Sequence, residues 1–405
     1  MGAPAARAVE LARHWVRTGH AVTVLTGFPN HPTGVVPAGW RSRLRDLVYR
    51  EDVDGIHVVR TWLWPLPNRR AWERMLNYSS FCLSAAFRGL DVPRPDVVIA
   101  TSPQLLVGLA GWWIALWQRV PFVFEVRDLW PESLSAVGMG EEHSLLHRIL
   151  RMVAGFLYRK ADRIVVVTPA FKEHLTRHWR IPATKIEIVE NGVETQLFSP
   201  APSDNAIKKQ LTLEGKFVVA YIGTMGMAHG LDTLIEAATA LRSTHPTIVF
   251  LLIGEGADKD RIKALASSRN LDNLRFVDQQ PRERIPAFIC ASDACLVLLK
   301  KTELFKTVIP TKMLEFMACA RPVILGVDGQ AREVLEEARG GVVIEPESAS
   351  ALAEAIVQLA QDASSGRRLG ENARAYVVDH CSRGQTANRY VKILEDVVAA
   401  RSVEE

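Results

Sequence analysis

The 405-residue chain has few of the features that betray a specialised protein. Its five cysteines, at 82, 290, 295, 319 and 381, are odd in number and carry no C-x-x-C spacing. That excludes a disulfide framework or a zinc ribbon and suits buried thiols in a reducing compartment. No apolar run approaches the roughly 20 residues that span a bilayer. The greasiest stretch, 105–117, reads as a buried helix, and nothing at the start reads as a signal peptide. Walker A, H-E-x-x-H and G-x-S-x-G are absent, and no G-x-G-x-x-G follows a strand, which disfavours nicotinamide and flavin enzymes. Net charge is only +4, and no basic helix or aromatic–basic motif points to nucleic acid.

What is present is an alternation of helices and short, continuously apolar strands, the pattern of parallel α/β sheets covered on both faces. In the first half the spacing predicts a helix over 3–18 and strands over 21–25, 55–60, 96–100, 122–125, 164–167 and 186–189. Helices fall near 69–89, 103–118, 143–161 and 169–178. A polar, Pro-containing connection follows 198, and the rhythm restarts with strands over 217–222, 247–253, 274–277, 294–299, 322–325 and 341–344. The tail beyond 348 is helical. Length and this restart predict two domains, 1–198 and 199–378, with a helix over 379–405. The chain opens on a helix, whereas a doubly wound domain begins with a central strand and a Gly-rich turn. The first strand is therefore expected to be absent, with an in-frame strand upstream of Met1 as the simplest account and Gly2 as the remnant of the turn.

Charge is uneven. Residues 1–200 carry 24 Lys/Arg against 18 Asp/Glu, and the remainder 25 against 27. A basic first half suits an anionic lipid or substrate, although a solvated face gives the same count. Within it, Thr61-Trp-Leu-Trp-Pro-Leu-Pro-Asn-Arg-Arg-Ala-Trp72 interleaves Trp with Arg, a composition that fits a membrane interface or a loop folded onto its own core.

Three segments point to chemistry. Gly223-Thr224 through His229-Gly230, and Gly254-Glu-Gly256, are strand-to-helix turns where backbone N–H groups can approach phosphate, unless the glycines serve steric needs alone. Segment 307–324 sets Glu315 in the first turns of an apolar helix behind Pro310, Thr311 and Lys312. That suits a sugar hydroxyl and a phosphate bound at one helix N-terminus, the bland alternative being a Glu that complements the helix dipole. Arg127 and Asp128 directly follow strand 122–125, at the end where open α/β sheets gather ligands. Asp128 is suited to orient or deprotonate a hydroxyl, and Arg127 to meet a phosphate. His31 and Thr168 are further candidates to line this side.

These residues add up to a resemblance. Ile188-Val-Glu-Asn-Gly-Val-Glu194-Thr-Gln-Leu-Phe198 resembles the N-G-V-D…F segment of family 4 glycosyltransferases, and the Gly223, Gly254, Phe276-Val277, Ala291-Ser-Asp293 and Glu315…Arg321-Pro322 motifs follow in that family's order. Gly2-Ala3-Pro-Ala-Ala-Arg7, Thr26–Gly34 and Glu125-Val-Arg-Asp-Leu-Trp-Pro-Glu132 resemble bacterial fucosamine and colanic-acid transferases. The resemblance implies a GT-B fold: two Rossmann-like doubly wound domains facing across a cleft, the C-terminal helix crossing back to the first. It implies a retaining, metal-independent transferase using no cofactor beyond a UDP-sugar, the sugar being an N-acetylated deoxyhexosamine. The acceptor would be an undecaprenyl-diphosphate-linked saccharide, at the cytoplasmic face of the inner membrane. Glu315 matches the ribose-binding second Glu of the family motif. The first Glu is replaced by Thr307, and the turn's usual Arg and Lys by Thr224 and His229, so the diphosphate cation falls to Lys312, then Lys306. Val277 would lie near the base, and Gly2, Ala3, His31 and Thr168 on the acceptor side. A UDP-sugar epimerase of the same fold and a non-catalytic homologue in an assembly complex are the alternatives.

Overall fold

The computed structural model describes residues 3–30, 34–66, 71–132, 144–203 and 206–404. The chain divides into two compact units. One comprises Pro4–Glu190 and Ala387–Glu405, the other Met1–Ala3 and Asn191–Thr386.

The first-half unit runs α1 (Ala3–Arg17), β1 (Thr23–Gly27), α2 (Ala38–Arg41), β2 (Val48–Val53), β3 (Ile56–Thr61), α3 (Ala71–Arg88), β4 (Val98–Thr101), α4 (Leu105–Gln118), β5 (Phe122–Val126), α5 (Leu145–Lys160), β6 (Arg163–Val166), α6 (Pro169–His178) and β7 (Ile186–Ile188). Its strands form two sheets, β1-β3-β2 and an all-parallel β4-β5-β6-β7. Among the described residues no strand joins β1 to β4. The break falls where a doubly wound sheet carries its central strand. Helix α1 lies across both pieces, with Ala12 and Val16 on Ile56, Val58 and Val24, and Leu11 and Trp15 on Val123, Val165 and Ile99. Strand β2 is absent from the sequence expectation because its alternating polar residues hide it. The missed signal is Asp54-Gly55, both at positive φ (53° and 80°), an Asp-Gly hairpin turn that pairs β2 antiparallel to β3.

The second-half unit runs α7 (Ala206–Gln210), β8 (Phe217–Ile222), α8 (Asp232–Thr244), β9 (Ile248–Ile253), α9 (Lys259–Ser268), β10 (Leu274–Val277), α10 (Ile285–Cys290), β11 (Ala294–Leu298), α11 (Thr311–Ala318), β12 (Val323–Gly326), α12 (Gln330–Ala338), β13 (Gly341–Val343), α13 (Ala349–Gln361) and α14 (Ala363–His380). The six strands are all parallel in the order β10-β9-β8-β11-β12-β13. Strands β8, β9, β11 and β12 are buried almost throughout because helices cover both faces. Strand order reverses between β8 and β11, the switch point at which such sheets bind ligands beyond their carboxyl ends.

The last helix, α15 (Arg383–Glu404), starts in the second-half unit and continues in the first-half unit from Ala387. There Ala387, Tyr390 and Val397 enter the core with Leu11, Val123 and Val165, and Trp15 donates through Nε1 to the Ala387 carbonyl at 3.1 Å. It begins at 383 rather than the expected 379, because α14 continues to His380. The division falls at 190/191 rather than at 198/199. Residues 191–198 are tied to the second-half unit: Val193 and Phe198 are buried there, Val193 N–H donates to Cys381 O, and Arg374 donates to the carbonyls of Phe198 and Thr195. Among the described residues no helix is long and apolar enough to cross a membrane.

Candidate functional site

At the β8/β11 switch point the chain leaves β8 through Gly223, whose φ of 144° is open only to glycine at low cost. The neighbouring turn after β9 packs directly onto it. A Cβ at Gly254 would lie 2.0 Å from the Gly223 carbonyl oxygen, and one at Gly256 would lie 2.1 Å from the Met225 carbonyl oxygen. Gly223 N–H donates to Ile253 O, Met225 N–H to Glu255 O, and Gly254 N–H to Val277 O. Gly254 and Val277 thus shape the site by packing and pairing one turn against the next. Gly230, at φ 55°, ends a short helical turn beside Lys300, and exposed Thr224 accepts the Tyr221 hydroxyl through its carbonyl at 2.6 Å.

Lys312 is the centre of this arrangement. It enters from the first turn of α11, whose N-cap residue, Pro310, offers no capping side chain. Its amine is sealed from solvent, has no hydrogen-bond partner, and lies 4.1 Å from the Tyr221 ring centroid. Burial pulls its pKa down to about 7, with Glu315 opposing. A Cβ at Gly223 would stand 3.5 Å from this nitrogen, so the amine lies directly against the turn. His229 packs edge-on to the same tyrosine, and its Nδ1 lies 3.4 Å from the Leu298 carbonyl. Burial and then the Lys312 charge push its pKa to about 3, so it is neutral at pH 7. Facing that carbonyl, Nδ1 carries the proton and leaves Nε2 as an acceptor.

Glu315, one turn along α11 from Lys312, pairs with Arg282 at 2.8 Å, and the two side chains are only 12% and 15% exposed. The Arg282 guanidinium in turn lies 4.9 Å over the Phe198 ring. Arg282 escapes sequence reasoning because nothing local marks it: it reaches Glu315 from a 3-10 turn between β10 and α10. Tyr221 had a signal, a lone hydroxyl-bearing aromatic in an otherwise apolar strand near its carboxyl end. Lys306 does not join the site. It is a surface residue paired with the exposed Glu303 at 2.6 Å. Thr307, at the position of the family's first Glu, turns its hydroxyl back to the Leu304 carbonyl. Thr311 is the first residue of α11.

In the first-half unit, Arg127 and Asp128 follow β5, and the Ser102 hydroxyl accepts both backbone N–H groups, at 2.7 and 3.3 Å. Burial raises the Asp128 carboxyl to about pH 6, with Arg127 opposing. Beside them sits a network that sequence reasoning missed. Glu125 is buried and accepts from Arg7 Nε and Nη2 at 3.1 and 2.9 Å and from Thr101 at 2.6 Å. Arg7 also donates to the carbonyls of Val189 and Glu190. Burial pushes Glu125 up, but Arg7, Arg127 and the hydrogen bonds outweigh it and hold the carboxyl below its ordinary range. Thr168 proves to be the N-cap of α6, its hydroxyl accepting from Phe171 N–H at 3.3 Å. Ala3 opens α1 and clusters with the second-half unit. Gly2 and His31 lie outside the described residues, as do Arg69 and Arg70 of the Trp/Arg segment, in which Trp64 and Trp72 are exposed.

Two Rossmann-like units, the second with a cation and glycine turns at its switch point, have the fold of GT-B glycosyltransferases. Residues 2–192 match the model of the glycosyl transferase 4-like domain, and residues 203–376 match that of glycosyl transferases group 1. The chain belongs to family 4 of the glycosyltransferases and is an enzyme of that class. It is 24% identical over 362 residues to the putative colanic acid biosynthesis glycosyl transferase WcaI of Escherichia coli K12, covering 86% of each chain. Among solved structures it resembles sucrose-phosphate synthase from Thermosynechococcus elongatus, with TM-score 0.77, 22% identity, and coverage of 98% of this chain and 94% of that one. It also resembles Anabaena HepE in complex with UDP-glucose, with TM-score 0.71, 17% identity, and coverage of 93% and 100%.

Proposed function

We propose that this glycosyltransferase moves a sugar from a UDP-sugar, with retention of configuration, onto a lipid-linked saccharide during bacterial cell-surface polysaccharide synthesis. The sugar class we assign is an N-acetylated deoxyhexosamine, and the place of work is the cytoplasmic surface of the inner membrane. The observation that carries the reading is the buried, unpartnered Lys312 amine at the β8/β11 switch point. A buried cation without a partner is costly, and a diphosphate is the ligand that would relieve that cost. HepE with UDP-glucose and WcaI with its role in colanic acid support the donor and the pathway class.

In this mechanism the bond from the anomeric carbon to the diphosphate oxygen breaks, and a bond to the acceptor hydroxyl oxygen forms. Charge grows on the departing β-phosphate, where protonated Lys312 and the first N–H groups of α11 stabilise it without a metal ion. Glu315, oriented by Arg282, accepts from the ribose hydroxyls, and neutral His229 accepts from a sugar hydroxyl. Arg127 meets the acceptor phosphate, and Asp128 orients the acceptor hydroxyl. The hydroxyl proton leaves with the diphosphate.

A calorimetric panel of UDP-, GDP- and dTDP-sugars, followed by transfer to a lipid-diphosphate saccharide, tests this. UDP-sugar binding that collapses in Lys312→Met is the expected result. Binding of GDP- or dTDP-sugars alone overturns the donor assignment, and epimerised UDP-sugar formed without any acceptor overturns transfer in favour of the epimerase.

A further inference from the structure

The outer surface of α3, α4 and α5 is apolar where a helix layer covering a sheet normally turns polar. On α3, Trp72, Leu76, Leu83 and Phe87 lie within about 60° of arc at 100° per residue, and all are exposed, Phe87 by 68%. On α4, Trp113, Leu116 and Trp117 make a second exposed stripe, with the two indoles stacked at 6.1 Å and Trp117 64% exposed. On α5, Leu145, Ile149 and Met152 recur at i, i+4 and i+7, with Leu145 74% and Met152 66% exposed.

The three helices are neighbours. Trp112 of α4 meets Phe156 of α5 edge-on at 4.8 Å, and Phe81 and Ala85 of α3 pack with Ala110 of α4. A groove of about 620 Å³ between Trp72, Met75, Leu76 and Ser79 of α3 and Leu146 of α5 joins the outer two. Each helix turns its other side to the core through residues such as Phe81, Ile114 and Leu150. Exposed apolar surface on this scale marks an interaction site.

Charge says which kind. Helix α5 carries Arg148, Arg151, Arg159 and Lys160 and no acidic residue; α4 carries no charge, and the only acid on α3 is Glu73. Arg148 and Arg151 lie on one flank of the Leu145–Ile149–Met152 stripe. A two-fold contact between copies would set these cations against one another with scant acid to answer them. An anionic lipid surface answers both features: the apolar stripes and Trp rings sink to headgroup depth while the cations meet lipid phosphates. We infer that the outer face of α3, α4 and α5 is the surface by which this enzyme lies on an anionic membrane. The inference deepens the lipid-linked acceptor of the proposed function and rests on it.

Flotation of the full chain with two vesicle types tests it: phosphatidylcholine alone, and phosphatidylcholine with about 30% phosphatidylglycerol. Wild type should partition roughly tenfold or more in favour of the anionic vesicles, less so as salt is raised. Arg148→Glu/Arg151→Glu should lower anionic binding at least about tenfold. Leu145→Ser/Met152→Ser should lower binding to both vesicle types. UDP-glucose affinity should match wild type, since these residues lie outside the donor site, and a thermal melt checks that each variant is folded. Equal or negligible binding to the two vesicle types overturns the inference. So does a wild-type dimer that the same substitutions dissociate, which would make the face a contact between copies. Affinity for UDP, the part common to every UDP-sugar, reports separately on the donor reading: vesicle binding with no UDP affinity defeats that reading and leaves the surface standing.

Discussion

Two buried charges, Glu125 in the first-half unit and Lys312 in the second, are held in opposite ways. In the first-half unit, Glu125 is held by Arg7 and Thr101, and Arg7 spends its remaining donors on the Val189 and Glu190 carbonyls. In the second-half unit the Lys312 amine has no hydrogen-bond partner and only a tyrosine face beside it. Burial drags its pKa down to about 7, whereas Glu125 is held below its ordinary range. The Glu125 carboxylate has its hydrogen-bonding positions filled from within the protein, whereas the Lys312 amine is left with capacity for a partner from outside it. Sequence reasoning found the open one and missed the filled one.

The largest effect should come from breaking the filled network. Arg7→Met leaves Glu125 charged, buried and short of its main partner, which should cost about 3–5 kcal/mol in urea unfolding at neutral pH. Because Glu125 has a depressed pKa, its contribution is present above the ordinary carboxylate range and is lost as pH falls through the folded-state value. The difference between wild type and Arg7→Met should therefore shrink in acid. A loss below about 1 kcal/mol at neutral pH would mean that the network is not scaffold.

Lys312→Met should do the reverse. Removing an unsatisfied buried amine should raise stability by roughly 1–3 kcal/mol while cutting UDP-glucose affinity by about two orders of magnitude. The paired melts and calorimetry separate the two effects, and a destabilised variant with intact affinity would erase the contrast. Glu315→Gln comes next, with about a tenfold loss of UDP-glucose affinity and weaker discrimination against the 2′-deoxyribose analogue. Unchanged discrimination would remove Glu315 from the ribose.

The pH dependence has a definite sign. Lys312 is charged below about pH 7, and a bound diphosphate raises its pKa. The Kd for UDP-glucose should rise above pH 7, by up to about tenfold per unit, and the slope should vanish in Lys312→Met. The smallest effect falls on Thr168, which caps α6. Thr168→Ala should cost about 1 kcal/mol, read by urea unfolding, with transfer kinetics little changed.

Much was legible in the chain. Continuous apolar runs such as Val218–Ile222 and Val249–Ile253 announce parallel strands covered on both faces, because a strand buried on both sides has no polar side to alternate. The opening helix was visible in the chain, and among the described residues no strand joins β1 to β4. Gly223 and Glu315 were visible because turn glycines and a lone carboxylate on an apolar helix break a pattern. Strand β2 went astray for the converse reason: a polar hairpin looks like ordinary surface.

The sequence by itself thus determined the alternation of elements, the family and the residues that interrupt an apolar rhythm, since each is a local departure from periodicity. Tertiary structure alone decided which charges find partners. Arg7 reaches Glu125 across 118 residues, Arg282 reaches Glu315 across 33, and the Lys312 amine reaches no hydrogen-bond partner. Pairing depends on distance and burial in the folded core, and no spacing along the chain encodes either.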